Sequence, residues 1–172
     1  IIEWPISVAL ESGLFDQIIV STDDTEIAEV GRAAGASVPF MRHENLSDDY
    51  VDTKSVVCHA ISELKLETEP EVQVCCIYPT SVFVNSQLLS EGLEKLKGGN
   101  ARFVLSITSV DSSVYRSFSK TADDRITMLF PENYEKRTQD LPNLYCDAAQ
   151  FYWATVSAWQ SDLNIFGTDS TS

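Results

Sequence analysis

The sequence predicts an α/β fold with a Rossmann-like, mostly parallel sheet and an inserted β arm. Three observations lead there. Helical-period stretches alternate with short, continuously apolar runs, the pattern of strands buried on both faces between crossover helices. The runs end in polar residues, as strands do where a ligand-facing loop begins. After Ser109 the alternation stops, and two short strand-like runs flank the polar stretch 122–125.

Taken in order, Ile2, Ile6, Ala9 and Leu10 recur at helical spacing, with Pro5 suited to a first turn and Gly13 to a stop. Residues 17–22 predict a buried strand. Asp23 and Asp24 supply capping chemistry for a helix through Ile27, Ala28, Val30 and Ala34, closed by Gly35. Asp23 followed by Glu26 resembles a capping box, a stronger reading than metal ligation by the acidic pair. A short strand is expected at 36–41, a helix at 53–66, a strand at 72–78, a helix at 85–97 and a strand at 103–108. Residues 115–118 and 126–130 read as arm strands within 110–147. An apolar strand returns at 148–154, followed by a short helix at 158–163.

The chain has 172 residues, 44% of them hydrophobic, enough for one packed domain. Its net charge of −14, from 12 Lys+Arg against 26 Asp+Glu, argues against nucleic acid, whose binders need a basic face. No long apolar run or signal-peptide pattern is seen, so no membrane partner and a cytoplasmic location are expected. Cys58, Cys75, Cys76 and Cys146 lack CxxC spacing and read as thiols of a reducing compartment. His43 and His59 form no metal-binding motif, and no metal ligand is assigned. The chain opens on a helix with no strand before it and closes on a polar tail, so a domain truncated at both ends is expected.

Four motifs in order then carry a resemblance. They are Leu14-Phe-Asp-Gln-Ile-Ile-Val-Ser-Thr-Asp-Asp24 with Glu26-Ile-Ala28; Phe40-Met-Arg-His-Glu-Asn-Leu-Ser-Asp-Asp49; Pro79-Thr-Ser81; and Arg137-Thr-Gln-Asp-Leu-Pro142 with Asp147-Ala-Ala-Gln-Phe-Tyr-Trp153. Together they resemble the acylneuraminate cytidylyltransferase family over nearly the whole chain, and the last piece resembles its pseudaminic acid branch. The resemblance implies a nucleotide-diphospho-sugar transferase fold over 1–172, with 110–147 as a dimerisation arm. It implies CTP and a nonulosonic acid as substrates and Mg2+ as cofactor. The implied reaction is attack of the sugar's anomeric hydroxyl on the α-phosphate, with release of pyrophosphate.

The resemblance also implies site residues. Arg42 reads the cytosine edge, for which a planar multi-donor is suited; on its own it would be a surface arginine. Asp49 and Thr53 complete the nucleotide set, with loop ordering and helix capping as their plainer roles. Tyr78, Thr80 and Gln150 are the sugar-facing set, Tyr78 offering a flat apolar face and one hydroxyl. It stands where sialic acid enzymes carry glutamine, and a tyrosine covering the core is the plainer reading. Arg137, Gln139 and Asp140 lie at the end of the arm, and the arginine suits a sugar carboxylate. The arm is expected to cross to a second subunit, so Arg137 would serve the partner's site; a salt bridge to Glu132 or Glu135 is the alternative. No phosphate-cradling Arg/Gly/Lys-rich loop and no late acidic pair occurs among the 172 residues, so no catalytic residue is assigned and the chain as given is expected to be inactive. The alternatives are a non-catalytic remnant that dimerises or binds ligand, and a nucleotidyltransferase for another acid sugar.

Overall fold

The computed structural model describes residues 1–48 and 50–172. It divides into two compact units, residues 1–106 with 149–172, and residues 107–148.

The first unit is built on the elements the periodicity marks. Helix α1 (Glu3–Ser12) ends at Gly13, whose φ of 64° is the left-handed turn glycine tolerates. Helix α2 (Thr25–Ala33) is capped by Asp24, which accepts from the amides of Glu26 and Ile27. The expected capping box on Asp23 does not form, because Asp24 occupies the cap and Asp23 turns to Arg42. Helix α3 (Thr53–Glu63) starts from Asp52, whose carboxylate accepts from the Ser55 amide and hydroxyl. Helix α4 (Ser86–Lys97) starts from Asn85.

The sheet contains β1 (Gln73–Ile77), β2 (Phe103–Val110), β5 (Leu144–Thr155) and β6 (Ser170–Thr171), in the order β1-β5-β2-β6. It is mixed. β1 runs antiparallel to β5, pairing Gln73 with Thr155 and Ile77 with Phe151, whereas β6 lies parallel to β2. The polar tail therefore adds a short strand, with Arg102 donating to the Asp169 carbonyl.

Two expected strands shrink to a bridge. Residues 17–22 and 36–41 meet only at Ile19 and Ser37, through hydrogen bonds from Val20 to Ser37 and from Ser37 to Ile18. Pro39 has no N–H to continue the ladder. The final helix also shifts. Thr155 caps α5 (Val156–Trp159), which ends before the expected range does, and Lys54 donates to the carbonyls of Ser161 and Leu163 in the turn that follows.

Alternation along β5 divides the core. Tyr152 and Ala154 pack with Phe103, Leu105, Val57 and Ile61. Phe151 and Trp153 pack on the other face with Val104 and the α4 leucines 89, 93 and 96. Helix α4 sits so close that a Cβ on Gly92 would lie 2.8 Å from the Trp153 ring.

The second unit holds a hairpin of β3 (Phe118–Lys120) and β4 (Ile126–Met128), closed over residues 121–125 with Asp124 at φ 62°. Residues 115–118 were expected as strand. Instead Ser112–Arg116 forms a 3-10 turn, because the Asp111 carboxylate takes the Ser113 amide at 2.6 Å and winds the chain. No helix among the described residues is long and apolar enough to cross a membrane.

Candidate functional site

The site grows from three chain segments of the first unit. The first is the end of the 18–20 segment. Arg42 donates its backbone N–H to the Thr22 carbonyl at 2.8 Å. Its guanidinium is held from three directions: Nε donates to Ser47 Oγ at 3.1 Å, one terminal nitrogen to the Ser21 carbonyl at 3.4 Å, and the other to Asp23 Oδ1 at 3.2 Å. The arginine side chain is 20% exposed and Asp23 47%. A pair this open contributes about 0–1 kcal/mol to stability, so its main effect is to fix the fork's orientation. Ser21 Oγ lies buried beside it with no hydrogen-bond partner among the described residues.

The second segment joins α3 to the end of β1. Since Asp52 caps the helix, Thr53 is released from the capping role open to it. Its hydroxyl lies 2.6 Å from the Tyr78 hydroxyl. Tyr78 also packs edge-on against Tyr152 at 5.5 Å, so both a core-facing ring and a hydroxyl directed at Thr53 belong to it.

The third segment is the start of the returning strand. Gln150 clasps the loop after Tyr78: its carbonyl accepts from the Tyr78 amide and the Ser81 hydroxyl, and its side-chain oxygen accepts from the Phe83 amide. Ala149, just before it, takes φ 49°, and the amides of Gln150 and Phe151 then converge on Ser106 Oγ at 3.1 and 3.2 Å. The Ser106 hydroxyl thus takes two successive amides and fixes the chain where it re-enters the sheet. Thr80 is exposed on the clasped loop, beside the exposed apolar Val82 and Phe83.

Asp49 lies outside the described residues. In the second unit, Arg137 forms a two-point bridge with Asp140, at 2.8 and 3.2 Å, instead of with Glu132 or Glu135. Gln139 is exposed on the same 3-10 turn.

The sequence reading missed the supports. Ser21, Ser81 and Ser106 each act through a hydroxyl or carbonyl whose partner is remote in sequence, and no local pattern signals that; Ser47 is near Arg42 in the chain, but only the folded turn aims its hydroxyl at the guanidinium. Nor did spacing place His43 beside His59, their rings 5.7 Å apart. The partly buried thiols of β1 are perturbed too: desolvation pushes Cys76 up to about 12 and Cys75 well above the usual thiol value.

A sequence profile of the family described as Cytidylyltransferase matches residues 1–166. The chain belongs to that family. This cytidylyltransferase-family chain is 36% identical over 171 residues to a pseudaminic acid cytidylyltransferase of Campylobacter jejuni, covering 99% of the chain and 74% of the relative. It is 34% identical over 168 residues to a Helicobacter pylori protein named pseudaminic acid cytidylyltransferase and UDP-2,4-diacetamido-2,4,6-trideoxy-beta-L-altropyranose hydrolase, covering 97% of the chain and 32% of that protein. Among solved structures, CMP:2-keto-3-deoxy-manno-octonic acid synthetase complexed with CTP superposes with a TM-score of 0.64 at 10% identity. That likeness shows the fold; it covers 92% of this cytidylyltransferase-family chain and 64% of the synthetase chain.

Proposed function

We propose that the chain provides base and sugar recognition for a cytidylyltransferase that makes a CMP-activated nonulosonic acid of the pseudaminic acid type. The observation that carries this is the held Arg42 fork. Among the described residues, three of its five N–H donors are committed, one per nitrogen. Each terminal nitrogen keeps one donor, the pair a cytosine carbonyl and ring nitrogen would accept. Thr53 and Tyr78 contribute their paired hydroxyls, Thr53 toward the nucleotide and Tyr78 toward the sugar, while the Tyr78 ring is given to the core. Thr80 and Gln150 shape the loop that faces the sugar.

In the reaction so proposed, the anomeric oxygen bonds to the α-phosphorus of CTP, the bond to the pyrophosphate oxygen breaks with pyrophosphate leaving, and the hydroxyl proton passes to solvent water. In-line positioning would supply much of the acceleration. The acidic pair does not suit Mg2+: Asp23 is engaged by Arg42 and Asp24 by two helix amides. Arg137 would exchange Asp140 for the carboxylate of a sugar held at a second subunit's site; the bridge is 72% and 47% exposed, so breaking it costs about 0–1 kcal/mol.

A second copy of the chain is the proposed partner of the 110–147 arm. The reading is supported by apolar side chains left open on that unit: Phe118 is 54% exposed, Ile126 61% and Tyr134 75%.

Calorimetric titration of CMP and CTP, with and without Mg2+, tests the reading. CMP binding that Mg2+ hardly changes, and that Arg42→Ala abolishes, is the expected result. Absence of binding by either nucleotide would overturn it.

A further inference from the structure

His43, His59 and Glu63 come together behind the Arg42 loop. Their ligand atoms all lie within 4.8 Å of one another. His59 Nε2 is 3.7 Å from Glu63 Oε1, too far for a hydrogen bond. His59 is 12% exposed, and neither of its ring nitrogens has a hydrogen-bond partner among the described residues. A buried imidazole without partners loses its hydration with nothing in return. Phe40 closes one side of it edge-on, at 5.3 Å. Glu63 is the last residue of α3, where the helix dipole disfavours an anion unless a cation lies beside it.

We propose that these three side chains bind one divalent cation of the zinc class. Two imidazoles and one carboxylate are the donor set that a borderline cation takes, with a fourth position left to solvent. Magnesium and calcium prefer oxygen donors and fit poorly. Tetrahedral zinc, with bonds of about 2.0–2.2 Å, needs its ligand atoms closer than they stand here. The exposed His43 and the half-exposed Glu63 side chains have the freedom to close on a fixed His59.

The bound ion would join the base-reading loop to α3. His43 follows Arg42 directly, and its carbonyl accepts from Ser47 Oγ, the group that also holds Arg42 Nε. The cation would thus pin from behind the loop that carries the guanidinium. The ion site itself stands independently of the nucleotide reading.

The test is titration of the metal-free full chain with Zn2+ by calorimetry and with Co2+ by visible absorption, no nucleotide being present. One ion per chain, a dissociation constant of about 1 µM or tighter, and the intense bands of tetrahedral cobalt are expected. Excess Mg2+ should not compete. His43→Ala and Glu63→Gln should each weaken zinc by about tenfold or more. Both sites are exposed, so folding, checked by circular dichroism, should survive even if His59→Gln fails to fold. Absent zinc binding, or zinc affinity unchanged in His43→Ala, would overturn the proposal. Since no nucleotide is used, either result leaves the CMP reading to its own test.

Discussion

Arg42 shows how a long side chain becomes a positioned tool. Asp23 and Ser47 hold its fork, so either can be changed without removing the guanidinium. Asp23→Asn keeps the shape and removes the charge. CMP affinity is expected to fall several-fold by calorimetry, while thermal stability changes by less than about 1 kcal/mol. Arg42→Lys keeps the charge and loses the fork, and should weaken CMP by about tenfold or more. The hydroxyl pair gives a separate check. Tyr78→Phe leaves Thr53 Oγ1 without the partner it has at 2.6 Å. The expected loss is about 1 kcal/mol in denaturant unfolding, with a larger effect on sugar binding than on CMP binding.

At the scale of elements, caps and close contacts decide the geometry. Asp52 is held below the ordinary carboxylate range, first by the Ser55 amide and then by the Ser55 hydroxyl. A depressed folded value means the cap stabilises α3 above the unfolded carboxylate's pKa and is lost as pH falls through the lower folded value. Asp52→Ala should cost about 1 kcal/mol near neutral pH and progressively less under acid, read from urea midpoints across pH. Gly92→Ala should destabilise by about 1–3 kcal/mol, because the added methyl meets the Trp153 and Phe151 rings. Helices α1 to α4 were legible because their apolar period and stops are local. The segments 17–22 and 36–41 were not legible as a bridge, since an apolar run says nothing about how many partners it finds, and Pro39 stops a ladder only if its N–H side faces the neighbouring segment. The direction of β5 was hidden for the same reason: an apolar strand reads alike in either sense. Arg42, Thr53 and Tyr78 came from motif resemblance; the residues that hold them came only from the fold.

At the scale of the whole molecule, the arm carries the proposal of self-association. If a second copy covers Phe118 and Ile126, then Phe118→Lys with Ile126→Lys should convert a dimer mass to a monomer mass in light scattering, with the first unit's circular dichroism retained. An unchanged mass would assign those side chains another role.

The order of the sheet has a temporal meaning. β5 lies between β1 and β2, yet it is made long after both. Residues 73–77 pair with 151–155, so on an elongating chain β1 has no β5 partner until the ribosome has passed the whole arm. Such distant pairing is slow to find, and it leaves the apolar edges of β1 and β2 uncovered while synthesis proceeds. Nascent chains halted before Gln150 should therefore stay protease-sensitive and attract holding chaperones, and release past Trp159 should end both together.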